Sequence, residues 1–185
     1  MKKMITVPNC ITALRIVGAL ILLFLTPLSV AFYVVYTLCG VSDVMDGMIA
    51  RATKTTSEFG AKLDSVADLT FYSVMMLKIL PVLWKLLPKW IWIAVAVILA
   101  IRLSAYGVAA IRYRKFASLH TYLNKCTGAL LFAVPYFLSL SFAVGYCMTV
   151  CVVGGLASSE ELVMHIAAKK YTTNVKSVVQ MLRQS

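Results

Sequence analysis

All four aspartates of this 185-residue chain, Asp43, Asp46, Asp64 and Asp68, fall within one short segment. Spacings of three and four residues place each pair on one face of a helix. The segment between the pairs is short, so the two helices become antiparallel neighbours and their acidic faces can converge. Converging carboxylates repel, and the cations near them in sequence, Arg51, Lys54 and Lys62, are too few to pair with all four. Hard divalent cations suit such an all-oxygen site, and Mg²⁺ keeps open positions for phosphate oxygens. Two divalent ions, Mg²⁺ or Mn²⁺, would neutralise the quartet and clamp a displacement at phosphorus. Two other uses compete with this one. The acids could be interfacial partners of loop Lys and Arg, or a proton or cation relay of the kind a small carrier uses.

The elements that must position these acids are apolar. Hydrophobic residues make up 61% of the chain and charged residues 14%, with a mean hydropathy of +0.87. Soluble domains hold about 45–50% and about 25%. A soluble core, a disordered chain and a disulfide framework are therefore excluded. At about 20 residues per span, six membrane-crossing helices would use roughly 120 residues. The expectation is an all-α integral membrane protein, a single polytopic domain over 1–185. A juxtamembrane piece over 1–8 and a cytoplasmic tail from about 167 would flank it.

The spans are read from charge-free runs and their breaks. Thr26-Pro27-Leu28-Ser29 divides the first run into helices over about 9–26 and 29–50. A third covers about 62–84, closed by the segment containing Pro88, and a fourth about 90–112. The stretch 126–159 is too long for one span and divides near Ser141–Gly145, giving a fifth helix and a sixth that reaches about His165. The first run carries Arg15 and lacks a small-residue cleavage site, so a cleavable signal is not expected.

The formal charge of +11 reads as topology and not as nucleic-acid binding. With the N-terminus inside, Arg51, Lys54, Lys62, Arg112, Arg114, Lys115 and Lys125 face the cytoplasm with both basic ends, while Lys85 and Lys89 face out. The acids then lie at the cytoplasmic edge beside a basic loop, whereas a relay needs acids near the midplane. The five cysteines show no metal or disulfide spacing.

The two pairs belong to a longer pattern: D-x2-D-G-x2-A-R-x8-G-x3-D-x3-D, from Asp43 through Gly47, Ala50, Arg51 and Gly60 to Asp68. Gly47 removes a side chain beside a carboxylate and lets a phosphate approach the helix backbone. Arg51, one turn on, offers a planar fork to phosphate or a base edge. Taken singly, Gly47 and Ala50 could serve helix packing and Arg51 could be a topological anchor. Taken together, the pattern resembles the signature of the CDP-alcohol phosphatidyltransferase family. Pro8-Asn9, Thr12 and Arg15 resemble the P-N-x2-T-x2-R opening of several bacterial members.

The resemblance implies a six-span fold and transfer of a phosphatidyl group from CDP-diacylglycerol to an alcohol, with release of CMP. It implies a plasma-membrane enzyme of phospholipid synthesis, facing the cytoplasm and assembled as a homodimer. Asp43, Asp46 and Asp64 become metal ligands, and Asp68 the general base that also touches a metal. Gly47, Ala50, Arg51, Gly60, Asn9 and Thr12 become the surroundings of the CDP pyrophosphate. Arg102, Arg112 and Lys125 are the candidate partners of a phosphorylated acceptor, for which glycerol 3-phosphate is the first choice. Serine and inositol phosphate are the rivals. From the residues themselves, Glu160 or Glu161 is expected to pair with Arg102, His120 to cap helix five or to contact the acceptor, and His165 to sit at the interface.

Overall fold

Hydroxyl side chains start four of the helices. Thr6 Oγ1 accepts from the Asn9 amide at 3.4 Å, Ser29 Oγ from Phe32 at 3.2 Å, Ser57 Oγ from Gly60 at 3.0 Å and Thr121 Oγ1 from Asn124 at 3.2 Å. Each bond satisfies an amide that a helix N-terminus leaves open. The computed structural model describes residues 6–53, 57–113 and 121–167. Among these it has six α-helices and no strand: α1 (Val7–Phe24), α2 (Val30–Ala52), α3 (Glu58–Leu86), α4 (Lys89–Tyr113), α5 (Tyr122–Phe137) and α6 (Ala143–Ala167). The expected breaks at Thr26–Ser29 and Pro88 separate α1 from α2 and α3 from α4. Leu28 reverses the chain in the left-handed region, at φ 62°. The cap of α5 is Thr121; His120 lies outside the described residues.

Five helices, all except α5, are long and apolar enough to cross a membrane. At 16 residues, α5 is about 24 Å long, short of the hydrocarbon thickness of about 30 Å. The break that ends it comes earlier than the sequence indicated. Pro135 lies in its last turn, and the chain then turns on bonds from Leu140 N to Phe137 O and from Ala143 N to Leu140 O, both 3.1 Å. Phe137 stacks on Tyr146 at 4.1 Å, and Tyr146 Oη donates to Leu130 O at 2.9 Å. These contacts fix α5 against α6.

The helices form two units, α1 to α3 and α4 to α6, divided after Lys85. Within the first, α1 lies closely along α2. Gly18 permits this, because a Cβ there would stand 2.8 Å from Cys39 Sγ. The third helix joins them mainly through side chains, including Phe71 stacked on Tyr36 at 5.5 Å. Within the second unit, α4 and α5 both pack on α6. Large apolar side chains such as Leu14, Val17, Leu69, Leu77, Ile93 and Leu103 face outward, while Arg15, Asp46, Ser158, Glu161 and His165 are buried. Apolar outside and polar inside is the arrangement that a lipid solvent permits.

Gly18→Leu is expected to overpack the α1–α2 contact and cost about 1–3 kcal/mol. Thermal unfolding in detergent checks this; an unchanged midpoint would contradict the close approach.

Candidate functional site

Between Lys3 and Asp43 the chain carries one charge, Arg15. An arginine in an apolar helix needs a partner, and it finds four. Its side chain is 1% exposed. Nη1 contacts Asp43 Oδ1 and lies 3.2 Å from Asp68 Oδ1. Nη2 contacts Asp64 Oδ1 and lies 3.2 Å from Asp46 Oδ2. The quartet therefore does converge, from α2 and α3, but its cation comes from α1. This corrects the sequence-based expectation, which placed only Arg51, Lys54 and Lys62 near the acids. Lys54 lies outside the described residues, Arg51 and Lys62 are exposed, and every ion pair of the quartet among the described residues goes to Arg15.

The four carboxylates are not equivalent. Asp46 is buried, whereas Asp43, Asp64 and Asp68 are each close to half exposed. Thr12 Oγ1 lies 2.7 Å from Asp46 Oδ2 and 3.0 Å from Pro8 O. A hydroxyl has one proton, and the shorter, charge-assisted bond to the carboxylate takes it. Asp46 is thus held from inside by Thr12 and Arg15. The other three offer one oxygen each, all within 4.8 Å of one another. That donor set is hard and anionic, and it fits Mg²⁺ or Mn²⁺.

Beside the acids lies a cavity of about 170 Å³ lined by Asn9, Thr12, Asp46, Gly47, Ala50, Arg51, Gly60 and Asp64, with Pro8, Ser57 and Ala61. All six residues expected around a pyrophosphate are brought together here. A Cβ on Gly60 would meet Asn9 Oδ1 at 2.8 Å and Ser57 Oγ at 3.2 Å, so any side chain here would push Asn9 away from the start of α3. A Cβ on Gly47 would meet the Arg51 guanidinium at 3.5 Å, which shows the arginine folded back over the bare backbone at that position.

Arg102, Arg112 and Lys125 belong to the second unit. Arg102 pairs with Glu161 at 3.5 Å, as anticipated for one of the two glutamates, and donates to Tyr106 Oη, Asn124 Oδ1 and Ser158 Oγ at 3.1, 3.2 and 3.5 Å. Asn124 Nδ2 also donates to Glu161 at 3.1 Å. Arg102, Asn124 and Ser158 line the polar part of a cavity of about 340 Å³ otherwise walled by Val95, Ile98, Leu131 and Val150. Arg112 donates to the carbonyls of His165 (3.2 Å) and Ile166, at the end of α6. Lys125 is exposed. His165 is not interfacial: it is buried, one turn from Glu161 on the inner face of α6. Arg114 and Lys115 lie outside the described residues.

Sequence reasoning undervalued Arg15 and missed Ser57. A lone charge in a long apolar run is the signal for Arg15. Ser57, three residues before Gly60, carries only the ordinary signal of a helix cap.

The family model described as CDP-alcohol phosphatidyltransferase matches residues 5–159. A CDP-diacylglycerol–serine O-phosphatidyltransferase of Methanocaldococcus jannaschii is 34% identical over 73 residues, which are 40% of this chain and 34% of that protein. A CDP-diacylglycerol–glycerol-3-phosphate 3-phosphatidyltransferase of Wigglesworthia glossinidia brevipalpis is 41% identical over 69 residues, 35% of this chain and 38% of that protein. The chain thus matches little more than a third of the length of either relative. No solved structure matches it.

Thr12→Val keeps the shape but removes the bond to buried Asp46. It is expected to cost about 1–3 kcal/mol, read as a lower unfolding midpoint in detergent, with Thr12→Ser close to the parent. Equal midpoints for Thr12→Val and the parent would mean that Asp46 does not rely on this hydroxyl.

Proposed function

The chain belongs to the CDP-alcohol phosphatidyltransferase family, and from that premise we propose that it transfers the phosphatidyl group of CDP-diacylglycerol to a small alcohol and releases CMP. The observation that carries this proposal is one juxtaposition. Asp43, Asp64 and Asp68, each close to half exposed, can bring one oxygen apiece within 4.8 Å of one another, and Asp64 with Asp46 also lines a cavity shared with the glycines, alanine and arginine of the same motif. A small cation or proton carrier would use the carboxylates, but it would have no need of that cavity.

In the proposed reaction the acceptor hydroxyl attacks the phosphorus that carries the diacylglycerol. A new P–O bond forms, the bond to the bridging pyrophosphate oxygen breaks, and that oxygen leaves on CMP. Asp68 takes the hydroxyl proton, which requires only that it lie within hydrogen-bond reach. Divalent ions held by Asp43, Asp64 and Asp68, with Asp46 behind them, would supply charge neutralisation at the pyrophosphate and at the departing phosphate. Gly47 lets the pyrophosphate approach the backbone once Arg51 swings its fork onto the nucleotide phosphate, while Gly60 makes room for Asn9 at the start of α3. Asn9 and Thr12 line the same cavity.

For the acceptor we propose glycerol 3-phosphate, with exposed Lys125 as the candidate partner of its phosphate, since Arg102 and Arg112 are engaged by Glu161 and by the carbonyls at the end of α6. The similarity to the CDP-diacylglycerol–serine O-phosphatidyltransferase favours serine as the second reading. The basic bias of the loops on one side supports a cytoplasmic site in the plasma membrane. Family membership supports a homodimer, and the remaining partners are membrane lipids.

Purified protein given CDP-diacylglycerol and Mg²⁺ or Mn²⁺ is expected to release CMP with glycerol 3-phosphate and form phosphatidylglycerol phosphate. Chelation should stop release, and added metal should restore it. Phosphatidylserine as the sole lipid product would shift the acceptor to serine, and no CMP with any acceptor would overturn the transferase reading. Asp68→Asn removes the base and little bulk, so turnover should fall by about 10²–10⁴-fold while the unfolding midpoint changes little. Near-parent turnover would remove Asp68 from that role.

A further inference from the structure

Resting on the reading that the aspartate quartet holds divalent ions, we propose that Arg15 is a positioning residue: an internal counter-ion that keeps the ion-free site assembled and yields Asp43 and Asp64 to divalent cations as they bind. The geometry points to a charge-driven placement. Both terminal nitrogens of the guanidinium face carboxylates from two helices, while its Nε is buried with no hydrogen-bond partner among the described residues. A guanidinium placed for donor satisfaction would use all three nitrogens; here the third is left unmet so that the other two can reach four acids.

One guanidinium offsets only one of four negative charges, so the ion-free site still attracts cations. A small octahedral ion needs oxygens at about 2.0–2.1 Å. Arg15 already contacts one oxygen of each of Asp43, Asp64 and Asp68, the three acids that can hold an ion between them. An incoming divalent ion therefore competes with the guanidinium for these carboxylates, and the arginine's charge opposes it. Arg15 also ties α3 to α1 and α2, where backbone packing is sparse. It follows that Arg15 acts in opposite directions on the two states: it stabilises the ion-free protein and weakens divalent binding. An arginine that merely supported the fold would, on removal, weaken both.

The test uses the full chain in detergent, stripped with chelator, with Mn²⁺ titrated and free Mn²⁺ read by electron paramagnetic resonance. Arg15→Gln is expected to bind Mn²⁺ at least about tenfold more tightly than the parent. Its ion-free unfolding midpoint should fall, and saturating Mn²⁺ should raise that midpoint by more than it raises the parent's. Arg15→Lys keeps the charge but loses the fork. It should show a lowered ion-free midpoint with Mn²⁺ affinity within about threefold of the parent. Unchanged or weaker Mn²⁺ binding by Arg15→Gln, an unchanged ion-free midpoint, or failure of that variant to fold at saturating Mn²⁺ would overturn the proposal. A parent that binds no Mn²⁺ would instead overturn the metal reading on which it rests.

Discussion

A guanidinium left alone in a hydrocarbon-spanning helix is costly, and so is each carboxylate beside it. In this chain the two costs are met together, because Arg15 of α1 sits among Asp43, Asp46, Asp64 and Asp68 of α2 and α3. The arrangement demands that three helices meet at one depth. α1 must lie close enough to α2 for its arginine to reach inward, which Gly18 against Cys39 permits. α3 must begin beside α1, which the absent side chain of Gly60 against Asn9 permits. Thr12, one turn before Arg15, then turns its hydroxyl to the most buried acid. Small residues and short polar side chains in this unit are therefore conditions for the charge cluster, not independent features.

The same cluster divides the acids by role. Asp46 is enclosed and hydrogen-bonded from within, while the other three keep about half of their side-chain surface open. An enclosed anchor with open partners is what a site needs if it must hold hard cations and still admit phosphate oxygens. The neighbouring cavity begins at Asp46 and Asp64 and is also lined by Gly47 and Gly60, the first covered by the Arg51 guanidinium and the second by Asn9. The second unit is built on a separate principle. There Arg102 and Glu161 neutralise each other within a ring of Asn124, Ser158 and Tyr106, which leaves exposed Lys125 as the less committed cation.

Much of this is legible in the residues. The turns at Thr26–Ser29 and Pro88 mark helix boundaries because neither segment can continue a helix, and the aspartate spacings fix which faces converge. The pairing of Arg102 with a glutamate of α6 follows from the cost of a lone intramembrane cation. The same cost applied to Arg15 would have found the centre of the site. It was hidden because the partners lie 28 to 53 residues away in sequence, and charge pairing at such range is set by helix packing that no local pattern reports. The short length of α5 was equally hidden: a charge-free run shows where a helix can continue but not where aromatic stacking, here Phe137 on Tyr146, makes it turn. His165 was misplaced because a histidine near a helix end resembles an interfacial one until the acid one turn before it is seen to face inward.

The central claim is that the aspartate cluster is shared between Arg15 and divalent cations. The most direct measurement is anomalous scattering from crystals grown with Mn²⁺. Peaks at about 2.1 Å from oxygens of Asp43, Asp64 and Asp68, with the Arg15 guanidinium withdrawn from Asp43 and Asp64, are the expected result. Arg15 still bridging both acids, with Mn²⁺ bound elsewhere or not at all, would contradict it.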